Sequence, residues 1–135
     1  MKRTFVDTNI FLRYLTADDA VQYERCRELF RRAVAGKAAL VTSGVVIIEI
    51  VWTLLSYYKV AKADVVEKVS LIVGSDYILI PERDILAEAL VLFGRKNIDF
   101  IDAYNAVFMR HHDLTSLYSY DRDFDGIEGI SREEP

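Results

Sequence analysis

Short apolar segments alternate with longer helical patterns along most of this chain, and that alternation leaves few architectures open. Residues 4–6, 39–42, 77–80 and 117–119 read as strands. Between them the spacing predicts helices over 9–15, from a cap at Asp18 or Asp19 to just before Gly36, over 44–58, from Asp64 to Gly74, over 83–93 and over 99–112. Strands that alternate with helices predict an α/β fold, a parallel central sheet flanked by helices on both faces. Residues 4–6 read as a buried strand. Residues 44–58 are apolar nearly all round and read as a buried helix. Asp64-Val65-Val66-Glu67 has the form of a capping box, Pro81 stops the third strand, and Gly94 is expected to close the helix before it. The tail after Gly126 is expected to add a short edge strand. No repeat or linker interrupts the pattern, so residues 1–135 are expected to form one domain.

Composition narrows the setting. Apolar residues make up 52% of the chain and charged residues 28%, which excludes intrinsic disorder. Cys26 is the single cysteine, so no intrachain disulfide exists and a reducing cytoplasm is the expected compartment. The opening MKRTFVDTNI lacks the apolar stretch of a signal peptide. The most apolar run, residues 45–55, is broken by Glu49 and is shorter than the roughly 18 residues of a membrane span, so no membrane association is expected. A net charge of −4 argues against a non-specific nucleic-acid binder, unless the acids are concentrated in one place.

They are set in apolar sequence, where open parallel sheets bind ligands, beyond the carboxyl ends of the strands. Asp7 follows the first strand directly. Glu49 lies inside the apolar helix, Asp99 and Asp102 open a later helix at i and i+3, and Asp121 follows the fourth strand. Each has a structural reading: Asp7 and Asp99 as helix caps, Glu49 as the partner of an arginine such as Arg13. Four acids near the expected sheet mouths, with few basic residues in the same segments, point instead to a hard divalent cation, Mg²⁺ or Mn²⁺ beside phosphate. Setting four acids aside as ligands leaves 17 acidic against 17 basic residues, a balanced remainder that removes the objection to RNA.

These same residues carry a family resemblance that spans nearly the whole chain. Asp7 and Asn9 stand in an Asp-x-Asn that continues as Ile-Phe-Leu-Arg-Tyr-Leu. Glu49 is a lone acid in an apolar helix. Asp99, Asp102 and Ala103 form Asp-x-x-Asp-Ala, and Ser119, Asp121 and Phe124 form Ser-x-Asp-x-x-Phe. The chain resembles the PIN-domain family, specifically its small VapC-like ribonuclease toxins of toxin–antitoxin pairs. The resemblance implies a PIN-like fold and an acidic quartet of Asp7, Glu49, Asp102 and Asp121 around Mg²⁺ or Mn²⁺. Asp99 would be an auxiliary acid, and Asn9 and Ser119 would hydrogen-bond the quartet. The implied activity is endoribonucleolytic cleavage of single-stranded RNA, and the implied partners are a cognate antitoxin and a second copy in a homodimer. Metal-activated water as nucleophile would need neither a histidine base nor the ribose 2′-OH, and would leave 3′-hydroxyl and 5′-phosphate ends. An RNA-maturation PIN nuclease and a non-catalytic PIN-like binding module are the alternatives.

Other signals have plainer readings. His111 and His112 fall at the end of a helix, where positive side chains suit the macrodipole. Residues 121–126 match half of a calcium loop, but its twelfth position is Arg132 instead of Glu, so Asp123 and Asp125 are expected to be solvated turn residues. Asp7-Thr8-Asn9 lacks the second acid of an aspartyl phosphatase. Cys26 reads as inert core, and Trp52, Tyr57 and Tyr58 as core or dimer contacts. Arg25, Arg27, Arg31, Arg32 and Lys37 read as a solvated helix face. Arg13, Arg95 and Lys96 lie closer to the acidic segments and are the candidates for RNA phosphate contacts.

Overall fold

A computed structural model describes all of residues 1–135. The chain divides into two compact units, Met1–Arg83 and Asp84–Pro135. The first contains β1 (Arg3–Phe5), α1 (Thr8–Thr16), α2 (Ala20–Val34), β2 (Ala39–Val41), α3 (Gly44–Ser56), α4 (Lys62–Val73) and β3 (Ile78–Leu79). The three strands are parallel in the order β1-β2-β3, with Phe5 opposite Val41 and Val41 opposite Leu79. The second unit is built on α5 (Arg83–Arg95), α6 (Phe100–His111), β4 (Ser116–Tyr118), a 3₁₀ helix (Arg122–Gly126) and β5 (Ser131–Glu133). Its two strands are also parallel, with Leu117 opposite Arg132. The α/β class and the parallel pairing are as expected, and the strands divide between two sheets.

Each unit has its own apolar centre. In the first, Phe11, Ile47, Ile50, Leu54, Val65, Val69 and Ile78 are buried; in the second, Leu86, Leu90, Phe93, Phe100 and Val107. Phe93 and Phe100 meet edge to face at 5.6 Å. The α2 pattern holds: Asp19 accepts from the Gln22 N–H at 2.9 Å, and Gly36 takes the left-handed φ of 73° just past the end.

Several local expectations need correction. Residues 3–5, in an edge strand, are exposed; of the expected buried strand only Val6 is buried, its N–H bonded to Val41 O at 2.8 Å. Helix α3 is not buried all round. Ile47, Ile50, Val51 and Leu54 make its inner stripe, while Val45, Glu49 and Trp52, at i, i+4 and i+7, face outward. The capping box at Asp64 does not form, since α4 starts two residues earlier with Ala61 as an N-cap that offers no side-chain bond. Asp64 instead places its charge in the first turn, where the macrodipole favours it. Gly94 lies within α5, which continues to Arg95.

Thr42 joins the first sheet at the point where the chain leaves it. Its N–H bonds Leu79 O at 3.0 Å, and its buried hydroxyl donates to Val6 O at 2.8 Å, directly before Asp7. Replacing Thr42 with Val keeps the shape and removes the donor, so T42V should cost about 1–3 kcal/mol of unfolding free energy, with most of it kept in T42S. Urea denaturation of both variants checks this; equal stability of T42V and wild type would remove the hydroxyl from the sheet's anchoring.

Candidate metal centre

In the second unit the turn from β4 into the 3₁₀ helix brings carboxylates to the start of α6. Asp121 is the N-cap of the 3₁₀ helix. Its carboxylate accepts from the Asp123 N–H at 2.9 Å, and its own N–H donates to Ser119 Oγ at 3.0 Å. These local bonds fold the segment back on itself in an Asx-type turn. Asp102 stands in the first turn of α6 and is partly buried. Carboxylate oxygens of Asp102, Asp121 and Asp123 all lie within 4.8 Å of one another.

Three like charges so close are costly. The Asp102 carboxyl is pushed up to about 6, first by burial, then by the charge of Asp121 and a hydrogen bond with it, and then by Asp99 and Asp123. The Asp102 carboxyl therefore ionises less readily than an ordinary aspartate. A set of hard, anionic oxygens at this separation fits a hard divalent cation and gives a soft metal no sulfur or imidazole.

Asp102 and Asp121 are two of the acids expected from sequence, and the structure brings them together. Asp123 lies beside them and is exposed in the 3₁₀ turn, in keeping with its reading as a solvated turn residue. The available signal was the Asp-x-Asp spacing, because an Asp whose carboxylate bonds the N–H two residues on turns that residue toward itself. Asp125 does not join: its carboxylate pairs with Arg132 at 2.7 Å. Asp99 is the N-cap of α6 without a side-chain capping bond, and it acts on Asp102 through its charge. His111 Nε2 faces Glu88 at 3.1 Å, beside Arg110 at 3.0 Å on the same carboxylate.

Asp7 and Glu49 belong to the first unit. Asp7 follows β1 at the carboxyl edge of the sheet, caps α1 through the Thr8 N–H at 2.8 Å and is exposed; Asn9 is exposed beside it. Glu49 is on the outer face of α3. Arg13 is held by Asp18 at 3.1 Å, Gln22 at 2.7 Å and the Tyr58 hydroxyl at 3.1 Å, and its ion-pair partner is Asp18 rather than Glu49. Tyr58 thus has a polar role, and Trp52 and Tyr57 are exposed rather than core. In the second unit Arg95 and Lys96 line a cavity of about 520 Å³ with Arg110, Leu92, Leu114 and Ile130.

The sequence matches the family model described as the PIN domain over residues 4–130. No curated protein gives a significant match. Among solved structures the chain is similar to the crystal structure of VapC20 from Mycobacterium tuberculosis, a sarcin–ricin loop cleaving toxin. Identity is 22%, coverage is 96% of this chain and 98% of that one, and the TM-score is 0.44.

The raised Asp102 value carries a sign for stability. A carboxyl that binds its proton more tightly folded than unfolded favours the folded state below the unfolded value near 3.9, and this contribution is lost as pH rises to about 6. In chelator, D102N should therefore melt higher than wild type at pH 7, and the gap should close toward pH 4. Melting curves at both pH values test this. A variant that melts well below wild type at pH 7 would make Asp102 a structural hydrogen-bond partner.

Proposed function

The chain belongs to the PIN-domain family, and from that premise we propose that it is a metal-dependent endoribonuclease that cuts single-stranded RNA and serves as the toxin of a toxin–antitoxin pair. The observation that carries the reading is the convergence of Asp102, Asp121 and Asp123, with the Asp102 carboxyl pushed up to about 6 by burial and by its acidic neighbours. The toxin assignment is supported by the four motifs that run in order through Asp7, Glu49, Asp102 and Asp121. Residues 1–135 are read as one nuclease domain, in keeping with a family match that runs through both units.

Asp102, Asp121 and Asp123 would hold Mg²⁺ or Mn²⁺. The bound cation supplies Lewis acidity toward a phosphodiester and acidifies water. Asp102 must release its proton to serve as a ligand, so metal binding releases a proton below about pH 6 and affinity falls there. Asp99 adds negative charge near the site, and Ser119 keeps Asp121 in place through its Oγ. Asp7 and Glu49 complete the acids required for turnover, with Asn9 beside Asp7. Arg13, Arg95 and Lys96 contact RNA phosphates in this reading, with Arg13 drawn from its present ion pair. No chain nucleophile and no ribose 2′-OH takes part, so water is the attacking group.

No helix is long and apolar enough to cross a membrane. The reading places the protein in the cytoplasm as a homodimer, and the exposed Val45, Trp52 and Tyr57 side chains support a second copy as their cover. An antitoxin arginine inserted among the carboxylates would inhibit, since its planar fork replaces the cation's charge.

Purified protein with Mn²⁺ should cut single-stranded RNA to 5′-phosphate and 3′-hydroxyl ends, and a 2′-deoxy residue at the scissile position should still be cut. Excess chelator should stop the reaction, and D7N and D121N should each slow it by orders of magnitude. Undiminished cleavage in chelator sinks the metal mechanism; wild-type rates in both variants sink the residue assignment. Light scattering at tens of micromolar checks the homodimer.

A further inference from the structure

The segment 119–125 carries both Asp121 and Asp123, and mutual repulsion with Asp102 acts to drive it away from α6. Local bonds shape the turn, and at its start the Ser119 N–H donates to Glu133 O in β5 at 3.1 Å. Phe124 is buried and gives one anchor. The side-chain anchor from β5 is Arg132, which is only 11% exposed. Its Nη1 donates to Ser119 O at 2.9 Å, and its Nε and Nη2 donate to the two oxygens of Asp125 at 2.7 and 3.3 Å. One guanidinium therefore grips both ends of the segment. Glu134 accepts from Nη1 at 3.2 Å, so the cation is neutralised by Asp125 and Glu134 rather than by the cluster.

We propose that Arg132 is the positioning residue of the metal centre: by clamping Ser119 to Asp125 it holds Asp121 and Asp123 at the spacing a divalent cation requires. This inference rests on the metal-binding reading above. It also gives Asp125, the third acid of the Asp121-x-Asp123-x-Asp125 run, the task of anchoring rather than ligation. The task suits arginine. A planar fork makes two parallel bonds to a carboxylate and a third to a carbonyl, whereas a lysine ammonium is a point charge on a flexible stem. Groups that orient metal ligands from behind contribute roughly 10- to 100-fold in affinity.

The test is calorimetric titration with Mn²⁺ alongside amide exchange in chelator. R132A should bind Mn²⁺ roughly 10- to 100-fold more weakly, with faster exchange at the Asp121 and Asp123 amides. R132K keeps the charge but not the fork and should restore neither. D125A removes the other half of the clamp without touching β5 and should shift both readouts in the same direction, and it decides the matter alone if R132A does not fold. Wild-type Mn²⁺ affinity and wild-type exchange in D125A and in any folded R132A, while D102N loses Mn²⁺ binding, would overturn the clamp and leave the metal centre standing. A wild-type protein that binds no Mn²⁺ would overturn both.

Discussion

Parallel strands can be joined only by a crossover that carries the chain back to the starting edge, and here helices make every crossover in the first sheet. All three strands then end on the same edge. Asp7, Ser43 and Pro81 fall just beyond those ends, so capping and catalytic candidates gather on one side while the apolar stripes of α1, α3 and α4 fill the interior. Thr42 secures this arrangement with a backbone bond toward β3 and a hydroxyl bond toward the residue before Asp7. The same rule operates in the second unit, where β4 runs out into Ser119 and Asp121.

At that exit, electrostatics oppose packing. Asp102, Asp121 and Asp123 are held closer than free carboxylates would settle, and the upward shift of the Asp102 carboxyl follows from its burial and from that proximity. In the proposed function a divalent cation would offset this repulsion and so stabilise the folded state. The opposing force comes from ordinary structure: Phe124 in the core, the Asx-type turn at Asp121 and the buried side of Arg132. The carboxylate that caps the 3₁₀ segment, Asp121, is also a member of the cluster.

The sequence by itself determined the α/β class, the order of strands and helices, some of the caps, and the identity of Asp102 and Asp121 as acids worth watching. It could do so because side-chain period and capping chemistry are local properties. Asp19 and Gly36 bracket α2 for that reason. Tertiary structure decided what local pattern does not encode. Val45 and Trp52 are as apolar as Ile47 and Leu54, yet only the neighbours of α3 select which stripe is covered. Asp123 and Asp125 are two residues apart and chemically identical. One meets Asp102 and the other meets Arg132, because the distance from a carboxylate to a partner far along the chain is set only when β5 pairs with β4 and α6 is in place. Charge is written in the sequence; which charge it faces is a property of the fold, since Coulomb interactions depend on separation and burial that the linear order leaves free.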